Sequence, residues 1–133
     1  MATERLLRSL NENKAVFVVI GATAFPAYGY ARATLDIDLF VKPTRPNIRR
    51  VMKSLKVLIR QYLLETDIHP FVKGVVFEDI WKNKITSKIG KTKVYFPSLE
   101  DMIRMKKAAG RAKDREDLKF LKKLLKMKIE EIR

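Results

Sequence analysis

The chain has 133 residues and 15.5 kDa, and 29 Lys and Arg against 15 Asp and Glu leave a formal charge of +14 with a pI near 10.1. That length is expected to make one domain, residues 1–133, and 47% apolar residues give it a core rather than the composition of a disordered basic tail. The lack of cysteine excludes a disulfide scaffold, thiol chemistry and thiolate zinc sites, and Met1 to Leu10 lacks the apolar stretch of a secretory signal, so a cytoplasmic location is expected.

Glu4 to Leu10 reads as a short amphipathic helix through Leu6, Leu7 and Leu10. The run Ala15 to Ile20 is apolar and rich in β-branched residues, the pattern of a strand buried on both faces, and Gly21 ends it. Ala22 to Tyr28 reads as a helix, with Pro26 tolerable in its first turn. Asp36 to Val41 alternates polar and apolar, a second strand with Asp36 and Asp38 on one face.

Thr44 can cap the next helix, whose apolar positions Ile48, Val51, Met52, Leu55, Leu58 and Ile59 keep helical spacing. Tyr62 to His69 reads as a third strand, Phe77 to Trp81 as a helical turn, and Thr86 to Ile89 with Lys93 to Phe96 as a hairpin turning at Gly90-Lys91. Ser98 and Asp101 form a capping-box pattern for a helix stopped by Gly110. Leu118, Leu121, Leu124 and Leu125 give a last helix its core stripe, and Phe77, Trp81 and Tyr95 are expected in the core.

The uncharged stretch Ala15 to Ala31 is shorter than the roughly 20 apolar residues a membrane span needs, so no membrane is expected among the partners. The large positive charge points to a polyanionic partner, while a solvated lysine-rich surface fits the same composition. The excess is concentrated between Lys42 and Arg60, where Lys42, Arg45, Arg49, Arg50, Lys53, Lys56 and Arg60 occur without an acid. Arg45, Arg49, Lys53 and Lys56 are the candidate nucleic-acid contacts.

Chemistry is concentrated elsewhere. A glycine at a strand-to-helix turn lets backbone N–H groups approach phosphate oxygens, and Gly21 followed by Ala22 and Thr23 offers such a turn. Two carboxylates at i and i+2 on a strand project together and can share a hard divalent cation, which fits Asp36 and Asp38. A third carboxylate from a neighbouring strand would complete a site able to activate a hydroxyl and neutralise a leaving pyrophosphate; Asp67 is the candidate, with Glu65 on its face as the substitute. His69 receives no role.

At these residues the sequence resembles the nucleotidyltransferase-fold proteins of the AbiEii toxin type, the minimal nucleotidyltransferases. Their glycine pair is matched by Gly21-Ala22, and their Arg-x-Thr-x-Asp-x-Asp segment by Arg32 to Asp38, with Arg32, Thr34, Asp36 and Asp38 in place. Their closing motif is similar to Lys106, then Arg111-Ala112-Lys113-Asp114, then Asp117. The expected fold is α/β or α+β and nucleotidyltransferase-like: a mixed, mostly antiparallel sheet with flanking helices, a C-terminal helical pair, and a cleft over the Gly21 and Asp36 strand ends.

The resemblance implies transfer of a nucleotide monophosphate from an NTP to an RNA end, such as that of a tRNA, or to a protein hydroxyl. Asp36 and Asp38 would hold Mg²⁺ with help from Asp67. Gly21, Ala22, Thr23, Arg32, Thr34, Lys106, Arg111, Lys113 and Asp114 would line the nucleotide site, with Arg32, Lys106 and Lys113 facing the triphosphate. A toxin–antitoxin pairing, with an antitoxin as partner, comes with the same resemblance. The alternative is an inactive relative kept as a module that binds nucleic acid or a protein. Asp114 has a purely structural reading as well, because an acid in the first turn of a helix is favoured by capping and the helix dipole.

Overall fold

The structure is a computed structural model, and it describes residues 2–20, 37–59 and 66–132. Helix α1 (Ala2–Glu12) leads into strand β1 (Phe17–Ile20); after the segment 21–36, strand β2 (Ile37–Val41) is followed by helix α2 (Arg45–Ile59) and strand β3 (Thr66–His69). Helix α3 (Phe77–Asn83), strands β4 (Ile85–Ile89) and β5 (Thr92–Phe96), and helices α4 (Leu99–Ala109) and α5 (Ala112–Ile132) complete the chain. The fold is α+β. The expected helix at Ala22 to Tyr28 lies outside the described residues, as does the Tyr62 to Glu65 part of the third strand.

Strands β1, β2 and β3 form a sheet in that order, β1 antiparallel and β3 parallel to the central β2, with α2 in the crossover that a parallel pair requires. Strands β4 and β5 pair as the expected hairpin, a second small sheet beside the first. Val94 and Phe96 of β5 join the main core and Tyr95 packs on the α3 side, whereas β4 is only half buried along its length.

Alternation along the three-stranded sheet divides the core in two. Phe17 and Val19 of β1 and Ile37, Leu39 and Val41 of β2 face the main cluster, built with Leu6, Leu7 and Leu10 of α1, Val51 and Leu55 of α2, and Met102 and Ile103 of α4. Val18, Ile20 and Phe40 face the other way, where α3 covers them with Phe77 and Ile80. The Phe40 and Phe77 rings meet edge to face at 5.1 Å, and Trp81 stacks on Phe77 at 5.9 Å. Trp81 and Tyr95 are half buried rather than in the core, with Lys84 Nζ 4.1 Å from the Trp81 ring centroid.

Helix α2 is anchored by Asn47, which is buried among backbone groups. Its Oδ1 accepts the Val16 N–H at 2.7 Å, and its Nδ2 donates to the carbonyls of Val16 at 2.8 Å and Lys42 at 3.0 Å. These bonds pin the start of α2 to the entry of β1 and the exit of β2. Thr44 Oγ1 accepts the Asn47 N–H at 3.4 Å, as its reading as a cap requires. Met52, read as a core position, is instead exposed on the face that carries Arg45, Arg49, Lys53 and Lys56; α1 lies against the Ser54 row, where Ser9 Oγ donates to the Ser54 carbonyl at 3.1 Å.

Both ends of α4 follow their sequence signals. Ser98 Oγ accepts the Asp101 N–H at 3.2 Å, and Gly110 closes the helix in the left-handed region at φ 62°. The capping box is half made, because the Asp101 carboxylate bonds Arg104 at 2.8 Å rather than returning to the cap backbone. No described helix is long and apolar enough to cross a membrane.

Candidate active site

Asp38 is the second residue of β2, on the face shared with Phe40 and covered further along by α3. Beyond Phe40 toward the start of the strand that cover gives out, and the Asp38 side chain keeps 31% of its surface. Parallel pairing puts Asp67 directly beside Asp38 and His69 beside Phe40, so Asp38, Asp67 and His69 share one face. Asp67 is exposed. His69 is the β3 side chain that reaches Asp38, with Nε2 3.0 Å from Oδ1.

The closing motif folds into one charged knot at the α4–α5 junction. Lys106 Nζ lies 3.0 Å from Asp114 Oδ1 and 3.3 Å from Asp117 Oδ2, and both carboxylates are buried. Arg111 Nε donates to Asp114 Oδ2 at 2.7 Å, and the Arg111 backbone N–H donates to the same oxygen at 3.3 Å. That second bond closes the first turn of α5, so the structural reading of Asp114 holds alongside any chemical one.

Electrostatics connect the two regions. The hydrogen bond to Asp114 is the largest influence holding the Arg111 guanidinium protonated, burial opposes it, and the negative charges of Asp114, Asp38 and Asp117 add to it. Arg111 therefore lies within the field of Asp38, although 73 positions separate them in the sequence. Burial alone would raise the Asp114 carboxyl, but hydrogen bonds and charge from Arg111 and Lys106 outweigh it and lower its pKa from 3.8 to about 2.

Residues 2–130 match the family described as a nucleotidyltransferase of unknown function (DUF6036). The chain belongs to that family. No curated protein and no solved structure matches it. The match agrees with the nucleotidyltransferase resemblance and covers nearly the whole chain; the AbiEii toxin type is not part of the family's description.

Of the nucleotidyltransferase residues expected from sequence, Gly21, Ala22, Thr23, Arg32, Thr34, Asp36 and the substitute Glu65 lie outside the described residues, as does the side chain of Lys113. Asp38 and Asp67 sit side by side, and Arg111 is brought toward Asp38. Lys106, expected to face a triphosphate, is largely buried with its ammonium against Asp114 and Asp117, whereas Arg111 keeps 56% of its side-chain surface. Among the described residues no three His, Asp or Glu side chains are gathered as a metal cluster; Asp36 is not in that set.

Sequence reasoning missed His69. The signal was present, since the two-residue period that gave Glu65 and Asp67 a common face gives the same face to His69. What the sequence lacked was the parallel register that brings this face against Asp38.

Proposed function

We propose that this chain is a Mg²⁺-dependent nucleotidyltransferase that moves a nucleotide monophosphate from an NTP to an RNA end. The observation that carries the reading is the parallel register that sets Asp67 beside Asp38, and the influence of the Asp38 charge on Arg111 supports a site shared with the closing Arg-x-Lys-Asp motif. Membership of a nucleotidyltransferase family supports it independently.

The donor chemistry fits a hard divalent ion: Asp38 offers an accessible carboxylate, and Asp67 stands beside it in register. With Asp36 from the same motif, these residues would hold Mg²⁺, which when bound polarises phosphoryl oxygens and favours deprotonation of an attacking hydroxyl. Among the described residues of the closing motif Arg111 is an accessible cation for the phosphates, and Asp114 holds its guanidinium. Lys106 holds Asp114 in turn, so its part is to set the position of Arg111.

The exposed basic face of α2 supports an RNA acceptor over a protein hydroxyl. That face equally favours one second reading, an inactive relative that retains RNA binding. The resemblance to AbiEii-type toxins supports a toxin role with an antitoxin partner, and growth arrest on expression that depends on Asp38 is its signature.

Calorimetric titration with each NTP, with and without Mg²⁺, on the wild type and on the Asp36→Asn, Asp38→Asn double variant tests the proposal. The expected result is binding that needs Mg²⁺ and is lost in the variant, followed by Mg²⁺-dependent labelling of an RNA end. Lack of binding to all four NTPs with RNA affinity intact would establish the inactive module instead.

A further inference from the structure

An exposed His–Asp pair on a sheet is ordinarily worth little, at most about 1 kcal/mol. The pair formed by His69 and Asp38 differs in where it stands. Its carboxylate belongs to the Asp-x-Asp strand, and its imidazole comes from β3, the strand expected to supply a third carboxylate. Asp67 is beside Asp38 in register, and His69, two residues further on along the same face, spans the diagonal to Asp38 Oδ1 at 3.0 Å.

We infer that His69 is a positioning residue for the metal-binding carboxylate: its Nε2–H donates to Asp38 Oδ1 and turns Oδ2 outward as the oxygen that takes the cation. The inference rests on the reading of Asp38 as a metal ligand. Its support is the division of labour between the two carboxylate oxygens, since Oδ1 is engaged by His69 and Oδ2 has no hydrogen-bond partner among the described residues. Carboxylates that ligate metals are commonly oriented by such outer hydrogen bonds, and losing one costs about ten- to a hundredfold in metal affinity.

The rotamer matters because of what surrounds it. Phe40, two residues along β2 on the same face, is locked edge to face against Phe77, so among the described residues the packing under α3 is apolar on that side. The hydrogen bond to the Asp38 carboxylate comes across the sheet from β3. Within β3, the side chain that provides it is an imidazole with a single donor at Nε2, which can engage one carboxylate oxygen and leave the other free.

The experiment measures binding of Mn²⁺, as a spectroscopic substitute for Mg²⁺, by electron paramagnetic resonance to the full chain and to its His69→Ala, His69→Gln and Asp38→Asn variants, with thermal unfolding of each alongside. Expected is affinity weakened about ten- to a hundredfold in His69→Ala at nearly unchanged thermal stability, largely restored in His69→Gln, whose amide can donate from a similar place. The wild type should show no hyperfine coupling to a directly bound ring nitrogen. Unchanged or tighter binding in His69→Ala would overturn the positioning role, and so would a directly bound nitrogen, which would make His69 a ligand. A wild type that binds no more Mn²⁺ than Asp38→Asn would overturn the metal reading of Asp38 itself, and the inference with it.

Discussion

Asp114 contributes to the acid dependence of stability. Its folded pKa of about 2 lies below its ordinary 3.8, so the unfolded chain takes up the proton first as the pH falls. Its contribution is complete above about pH 4, declines between about pH 4 and pH 2, and is absent below, where both states are protonated. The shift corresponds to roughly 2 kcal/mol. Urea unfolding of Asp114→Asn should therefore show a deficit of about that size at pH 7 that narrows as the pH falls toward 2; a deficit independent of pH would mean that the loss is one of packing or capping alone. The same variant releases Arg111 from its anchor, so under the proposed function it should also weaken Mg²⁺-dependent NTP binding.

Helix α2 carries the decision about the acceptor. Its inner face is held by Asn47, Val51, Ser54 and Leu55, while Arg45, Arg49, Arg50, Lys53 and Lys56 all project to solvent with Met52 among them. Replacing Arg49, Lys53 and Lys56 by glutamine removes charge without touching the buried face, so folding should be unaffected. If all three residues lie on phosphates of a single-stranded RNA, the slope of log affinity against log salt should fall by about 2 in magnitude. An unchanged slope, read by fluorescence anisotropy across a salt series, would return α2 to a solvated surface.

At the scale of the whole molecule the charge of +14 is a cost that salt can relieve. Screening length falls to about 8 Å at physiological ionic strength, which weakens repulsion between exposed lysines while leaving the buried bonds of Lys106 to Asp114 and Asp117 almost unscreened. Raising NaCl from low to physiological concentration should raise the midpoint of thermal unfolding by a few degrees. A falling midpoint would show that attractive surface pairs, such as that of Lys42 with Glu78, outweigh the repulsion.

Much of this architecture was legible in the sequence because the signals are local. The apolar run through Phe17 to Ile20, the Ser98 cap, the Gly110 stop and the hairpin around Gly90 depend on neighbours within a few positions, and the structure has each of them. The Arg-x-Thr-x-Asp-x-Asp segment and the Arg-x-Lys-Asp motif carried the resemblance to nucleotidyltransferases, which the family match supports at that level and not for the AbiEii toxin type. Tertiary structure decided what long-range pairing decides: that the hairpin stands apart from the sheet, that Met52 faces solvent, and that Lys106 turns inward while Arg111 comes under the field of Asp38. The role of His69 belongs there too, because an imidazole 31 positions from its carboxylate becomes its partner only when β3 pairs with β2 in parallel register.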